Sequence, residues 1–530
     1  MNNSRFSILL PIVISLSICV GFSICYVIMG DFFDAQNKTR GIQKLEDVLN
    51  LLDDKYVDAI DRDKIFEETI AEMLHKLDPH SNYIPAQEMA QMSESIEGNF
   101  SGIGVRFFKL RDTINVTHVI SNTPSERAGL KDGDQIVKIE KTNAAGVRLS
   151  TDSIMLLLKG RAGTAVNVTV NRNGGLIPFK IIRGRVPITS VNAAYMVDEE
   201  TGYIKIDQFS IPTSYEFRQQ AGLLLAQGMK SLILDLRNNG GGVLQGATDI
   251  ADEFLKNGLS IVTTKGRKIG TKEYVASHQG VLENVKLAVL INSRSASASE
   301  IVAGAIQDND RGIIVGRRSF GKGLVQEDQK LRDGSSVRIT IARYYTPSGR
   351  CIQRPYSGKD YEEYYDNHSS TDASLFQLDS SLYVDSLRYF TAAGRPVYGG
   401  GGISPDVFVP LDTTNSGMYY SSILWGGAVN QYAYDYVKSN GFFHENKWTS
   451  LNEFKSDFII DADMVTAFVN YTATELGILP YSIAEVNRSD EKIRVQIKAE
   501  IARQIWQEKG FYSVYNNFDN EFIEAMKSLK

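Results

Sequence analysis

Disulfides, metal sites and a histidine-based triad are all thinly provided for in this chain of 530 residues. Of its three cysteines, Cys19 and Cys25 sit in an apolar stretch near the N-terminus, so Cys351 stands alone and no intrachain disulfide can staple the remainder. No His-Glu-x-x-His or Cys-x-x-Cys spacing occurs, so neither a metal nor another cofactor is expected. Outside a polar, tyrosine-rich stretch that holds His368, only one of the six histidines, His278, falls in the segment that reads as an enzyme core, and it lies in a polar loop. A serine, histidine, aspartate triad therefore lacks an evident base. A stripe of one charge is missing too. The 57 basic and 63 acidic residues are well mixed and leave a net charge of −6, which makes nucleic acid an unexpected partner.

What is present begins with an uncharged run from Phe6 to Gly30, long enough as a helix to cross a bilayer. Arg5 precedes it, while Asp31 and Asp34 follow, which places the N-terminus in the cytoplasm. The expectation is a single-pass anchor over residues 6–30, with the bulk of the chain outside the cytoplasm. A cleaved signal peptide is the rival reading. Its apolar region would be shorter and would end in a small-x-small site, whereas this run ends in Val27-Ile28-Met29-Gly30.

The remaining chain, with 43% hydrophobic residues overall, has core material for several domains. Residues 41–95 carry apolar positions at helical spacing and read as a helical region, with His80 a turn residue packing it. Residues 98–184 alternate short β-branched runs with glycine turns. Within them, Ser101-Gly102-Ile103-Gly104-Val105 and the later Ala128-Gly129-Leu130-Lys131-Asp132-Gly133-Asp134-Gln135-Ile136 resemble the two signatures of a PDZ domain. Glycines at 102 and 104 let backbone N–H groups converge on a terminal carboxylate, and the next strand can accept a peptide at its edge. The candidate peptide-binding residues are Gly102, Ile103, Gly104 and Val105. Residues 185–410 then alternate strands and helices as an α/β core, with a polar, tyrosine-rich loop or insertion over 355–395. Residues 415–530 read as an all-helical appendage.

Three blocks carry the chemistry. A buried strand runs into Ser295-Ala296-Ser297-Ala298-Ser299-Glu300, where small neighbours permit a tight turn exposing the central hydroxyl at a helix start. The same pattern is also a capping box, which needs no chemistry. About 25 residues later comes Phe320-Gly321-Lys322-Gly323. From Gly316 onward this nearly spells a phosphate-binding loop, but Gly323 offers no hydroxyl for magnesium. Lys322 can act as a base only if burial lowers its pKa by several units, and Gln326 is placed to orient the amine. The third block, Asp235-Leu236-Arg237-Asn238-Asn239-Gly240-Gly241-Gly242, ends a strand in glycines that let bare backbone approach a substrate carbonyl.

Taken in order behind the PDZ-like segment, and preceded by Leu77-Asp78-Pro79-His80-Ser81, these blocks resemble the carboxyl-terminal processing (tail-specific) serine peptidases over about residues 41 to 410. The resemblance implies a Ser297 nucleophile, a Lys322 general base, Gln326 as its positioning partner, and an oxyanion hole from the amides of Gly242 and Ala298. It also implies a crotonase-like α/β peptidase core with the PDZ domain inserted as a substrate-gated lid. The expected partners are protein or peptide substrates with free, apolar C-termini. A catalytically inactive PDZ scaffold that binds such ends is the alternative.

Overall fold

The computed structural model describes residues 41–358, 361–366, 375–377, 384–443 and 448–530. The expected span over residues 6–30 lies outside them. Among the described residues no helix is long and apolar enough to cross a membrane. The chain divides into two compact units, one ending at Leu77 and the other running from Asp78 to Lys530.

The first unit contains helices over residues 41–55 and Arg62–His75. Asp61 caps the second through its carboxylate, which accepts the Lys64 amide, and Arg62 pairs with Asp53 at 2.7 Å. The helical region expected over 41–95 is thus only partly helical. Asn82–Ile84 is a strand in the second unit, pairing with Ser336–Tyr345, and only then does the helix Ala86–Glu97 follow.

The second unit is built on a six-stranded sheet in the order Val191–Met196, Thr201–Ile206, Ser231–Asp235, Lys286–Ile291, Ile313–Gly316, Val407–Phe408. All pairs but the first are parallel. Strands buried on both faces must be apolar throughout, and the period of two then assigns each side chain to a face. Leu232, Leu234, Val289 and Ile291 pack with the helices Thr213–Ala226, Leu244–Asp252 and Ala298–Asp308. Ile233, Ala288 and Leu290 point the other way, onto Phe522, Ala525 and Leu529 of the final helix Asn520–Ser528 and its end. The C-terminal region is helical as expected, but it is not an appendage, because its last helix covers one face of the core sheet. A second sheet joins Asn82–Ile84, Ser336–Tyr345, Ser260–Gly266 and Gly270–Val275, with Leu324–Lys330 also on Ser336–Tyr345.

The inserted module enters and leaves through a paired ribbon, Asn99–Gly102 with Gly184–Pro187. Between them lies a sheet of Val105–Leu110, Thr113–Val119, Gln135–Ile139, Ala165–Arg172 and Gly175–Ile182, with Thr142–Asn143 on the third, plus helices Pro124–Ala128 and Thr151–Leu158. Val105–Leu110 lies at the edge of this sheet.

Candidate active site

Ser297 follows a turn that two other serines hold in place. Ser295 Oγ donates to the Leu236 carbonyl (2.8 Å) and Ser299 Oγ to the Asn239 carbonyl (2.9 Å), both hydroxyls fully buried. Ser297 is the partly exposed member of the three. Its backbone sits at φ 55°, ψ −112°. A serine that only caps a helix takes an extended conformation, whereas a non-glycine residue here carries strain of about 1–3 kcal/mol, which nucleophile turns between strand and helix characteristically hold. The capping box also forms, with the Ser297 amide donating to Glu300 Oε2 at 2.8 Å. The same turn thus carries a capping contact and a strained backbone.

The glycine block packs against it. A Cβ on Gly241 (φ +100°) would fall 2.7 Å from Ser297 Cβ and 3.0 Å from the Ala298 amide nitrogen. A Cβ on Gly242 (φ +141°) would collide with the Phe209 carbonyl. Asn239 shapes the turn by accepting the Gly241 amide and donating to the Ile206 carbonyl, each at 2.9 Å. Of the two residues expected to supply oxyanion donors, Ala298 thus has its amide against Gly241, and Gly242 is the next residue along. Upstream, buried Arg237 bonds Asp235 and also reaches Asp519 and Glu521, each at 2.6 Å, from the C-terminal region.

The lysine loop is tied to the serine turn twice. The buried Glu300 carboxylate accepts the amides of Ser297 (2.8 Å) and Lys322 (2.9 Å), together with Gly321 N (2.7 Å) and Ser319 Oγ (2.5 Å). The Tyr344 hydroxyl reaches the carbonyls of both Ser297 (3.3 Å) and Lys322. Glycines flank the lysine for close packing, since a Cβ on Gly323 would lie 2.8 Å from the Gln353 amide nitrogen. Leu324–Lys330 continues as a strand, so the loop does not open the helix that a phosphate site requires. Lys322 is half-buried, and its pKa falls to about 8, first through desolvation and then through Arg338, against the opposing pull of Glu300, Asp78 and Asp328.

His80 sits in a turn as expected, and its carbonyl accepts the Gln326 side-chain amide. His80 is buried in the second unit, with Nδ1 3.0 Å from the Tyr365 hydroxyl and Nε2 3.2 Å from that of Tyr364. Those tyrosines belong to the helix Tyr361–Asp366, inside the segment read from sequence as a loop. His278 pairs with Asp252 at 2.9 Å. No cluster that could hold a metal is found among the described residues.

In the PDZ module, Gly104 adopts φ +86° and a Cβ there would clash with Thr123. The carbonyls of Ile103 and Gly104 accept the amides of Ser125 (2.8 Å) and Ile120 (3.1 Å), which fixes the loop that leads into the edge strand starting at Val105. Gly102 ends the preceding strand.

Residues 200–362 match peptidase family S41, residues 101–182 a PDZ domain, and residues 419–507 a family of unknown function. The chain is 38% identical over 327 residues to the carboxy-terminal-processing protease of Bartonella bacilliformis, spanning 60% of this chain and 74% of that protein. It is 32% identical over 334 residues to a probable CtpA-like serine protease of Staphylococcus aureus, spanning 62% of this chain and 66% of that one. A solved structure of the photosystem II D1 C-terminal processing protease aligns with 67% of this chain and 84% of its own, at 26% identity and a TM-score of 0.35. The chain belongs to peptidase family S41, among the carboxy-terminal-processing proteases, and is a serine-type peptidase that carries a PDZ domain and a helical C-terminal region.

Proposed function

We propose that this peptidase captures the free C-terminus of a protein substrate on its PDZ domain and cleaves near that end through an acyl-enzyme on Ser297. The observation that carries the reading is the double tether of the serine turn to the lysine loop, by the Glu300 carboxylate on one side and the Tyr344 hydroxyl on the other. In the proposed cycle the neutral Lys322 amine takes the Ser297 hydroxyl proton as Oγ adds to the scissile carbonyl. The amides of Gly242 and Ala298 receive the developing oxyanion. The lysine ammonium then protonates the departing amine, leaving an ester on Ser297. Water attacks that ester, gives its proton to Lys322, and the serine regains a proton as the acid product leaves.

Capture is proposed at Gly102, Ile103, Gly104 and Val105, with the substrate tail added along Val105–Leu110 as an extra strand. Val105 and Phe107, apolar residues of that strand packed on the module's core, favour tails with apolar ends. The parallel sheet flanked by helices fits a crotonase-like core, and the paired ribbon Asn99–Gly102 with Gly184–Pro187 fits a module that works as a lid. We further propose that residues 6–30 anchor the chain in a bacterial inner membrane, with the peptidase on the periplasmic side. Intact Ser297, Lys322 and Gln326 favour an active enzyme over a peptide-binding scaffold.

Peptides that differ only in a free or amidated C-terminus test the reading, with products identified by mass. The free acid is cut near its end and the amide is spared. Ser297→Ala and Lys322→Ala each bind the tail and lose turnover by about 10⁴-fold or more. Full turnover by either variant refutes the assignment.

A further inference from the structure

His80 and its tyrosine partners have no part in the cycle just described, yet they connect to the loop that carries its base. The lysine loop is gripped on one side by Glu300 and Tyr344. On the other side, the Arg354 amide donates to the Gly321 carbonyl (3.0 Å), and Gln353 Oε1 accepts the Gly323 amide (2.8 Å). Gln353 Nε2 in turn donates to the Tyr364 hydroxyl at 3.1 Å, and that hydroxyl meets His80 Nε2. The His80 ring also lies edge-on to Tyr364 and Phe320, with centroids 5.2 and 6.4 Å apart. The Arg354 guanidinium sits over Tyr364 at 4.3 Å. A closed circuit therefore runs from Gly323 through Gln353, Tyr364 and His80 to Gln326.

The proton arrangement in this circuit is determined by its ends. The Tyr365 hydroxyl donates to the Pro79 carbonyl (3.1 Å), so it accepts from His80 Nδ1–H. The Tyr364 hydroxyl accepts from Gln353 and has its own proton to give to His80 Nε2. The neutral imidazole with its proton on Nδ1 satisfies both contacts. With both ring nitrogens engaged, His80 is not available as the base. Burial, followed by the nearby Lys322 charge, lowers its pKa to about 3, in line with that tautomer. Asp78 holds the backbone of this turn, accepting the His80 and Ser81 amides at 2.8 Å each.

We propose that His80 is a positioning residue for the lysine base: braced between Tyr364 and Tyr365, it walls the Lys322 loop from water and holds Gln326 through its carbonyl. This rests on the reading of Lys322 as the general base. The charged groups bearing on Lys322 are Arg338, Glu300, Asp78 and Asp328, and a change at His80 leaves all four in place. If the wall loosens, water reaches the amine, its pKa climbs toward the ordinary lysine value, and less neutral amine remains at neutral pH.

The test is the pH profile of kcat/KM for the full chain and for His80→Phe, which keeps a ring but makes neither tyrosine bond. The rising limb, centred near pH 8 in the parent, is expected to shift up by at least about one unit. The variant then loses about tenfold at pH 7 and recovers at high pH, with KM unchanged. Tyr364→Phe, which breaks the circuit with less change of shape, is expected to shift the limb in the same direction and decides the matter if His80→Phe does not fold. Superimposable profiles, or a loss equal at every pH, overturn the proposal. Lys322→Ala is the control. Its inactivity beside an unshifted His80→Phe profile sinks this inference alone, whereas pH-dependent turnover by Lys322→Ala sinks the base assignment and this inference with it.

Discussion

At Ser297 the backbone takes up φ 55° in order to start a helix and still present a hydroxyl, and Gly241 is the neighbour that allows it. Gly241→Ala would place a methyl 2.7 Å from Ser297 Cβ at a backbone angle that disfavours any side chain. Its expected effect is a fall in kcat of about 10² or more, the scale of losing one oxyanion donor, with peptide affinity for the PDZ domain unchanged. Steady-state kinetics beside a binding titration checks this, and an unimpaired kcat contradicts it. Lys322 carries a linked cost. Because its folded pKa lies below its ordinary 10.5, burial opposes folding most below about pH 8, and the opposition fades as pH rises toward 10.5. The serine, lysine and glycine blocks could be singled out because each is a short local run, and the structure brings all three together. His80 was not legible in this way. Its meaning comes from tyrosines about 285 positions away in sequence, and no periodicity along residues 77–81 encodes that meeting.

Among the elements, the buried parallel strands were legible from their continuous apolar runs, and the helices flanking them from their spacing. The strand Asn82–Ile84 was not, because three residues carry too little pattern and its pairing with Ser336–Tyr345 is remote. The helix Tyr361–Asp366 was hidden in a polar segment whose tyrosines found buried partners. The final helix, Asn520–Ser528, showed its spacing but not its target. Phe522 and Ala525 bury against the core sheet, while Glu521 accepts a hydrogen bond from Arg237 (2.6 Å) and forms an ion pair with Arg317 (2.7 Å). All three of those charged residues are at most 9% exposed. Glu521→Ala would leave two buried guanidinium groups short of a partner. The expected destabilisation is about 3–5 kcal/mol in urea unfolding, since a charge stranded in the interior is penalised more than a surface pair ever contributes. A loss under about 1 kcal/mol would mean that water already serves this network.

Across the whole second unit, the C-terminal helices join the PDZ module to the catalytic core. Phe108 packs edge-on against Tyr434 at 4.8 Å, Tyr434 donates to Asn115 at 3.2 Å, and Arg111 reaches Asp435 (2.9 Å) and Glu475 (3.0 Å). Phe108 lies on the same edge strand that is proposed to take the substrate tail, so the helical region braces that strand while its outer edge remains open to pairing. Sequence pattern revealed three bodies in a row but not which faces they share, because such contacts join residues hundreds of positions apart. The account as a whole depends on one desolvated amine activating one strained serine. Reaction of the full chain with an active-serine phosphonylating reagent, followed by peptide mass spectrometry from about pH 6 to about pH 10, tests that most directly. The account predicts a single adduct on Ser297 whose rate of formation climbs with a midpoint near pH 8 and vanishes in Lys322→Ala. An adduct elsewhere, a rate indifferent to pH, or equal labelling of Lys322→Ala contradicts it.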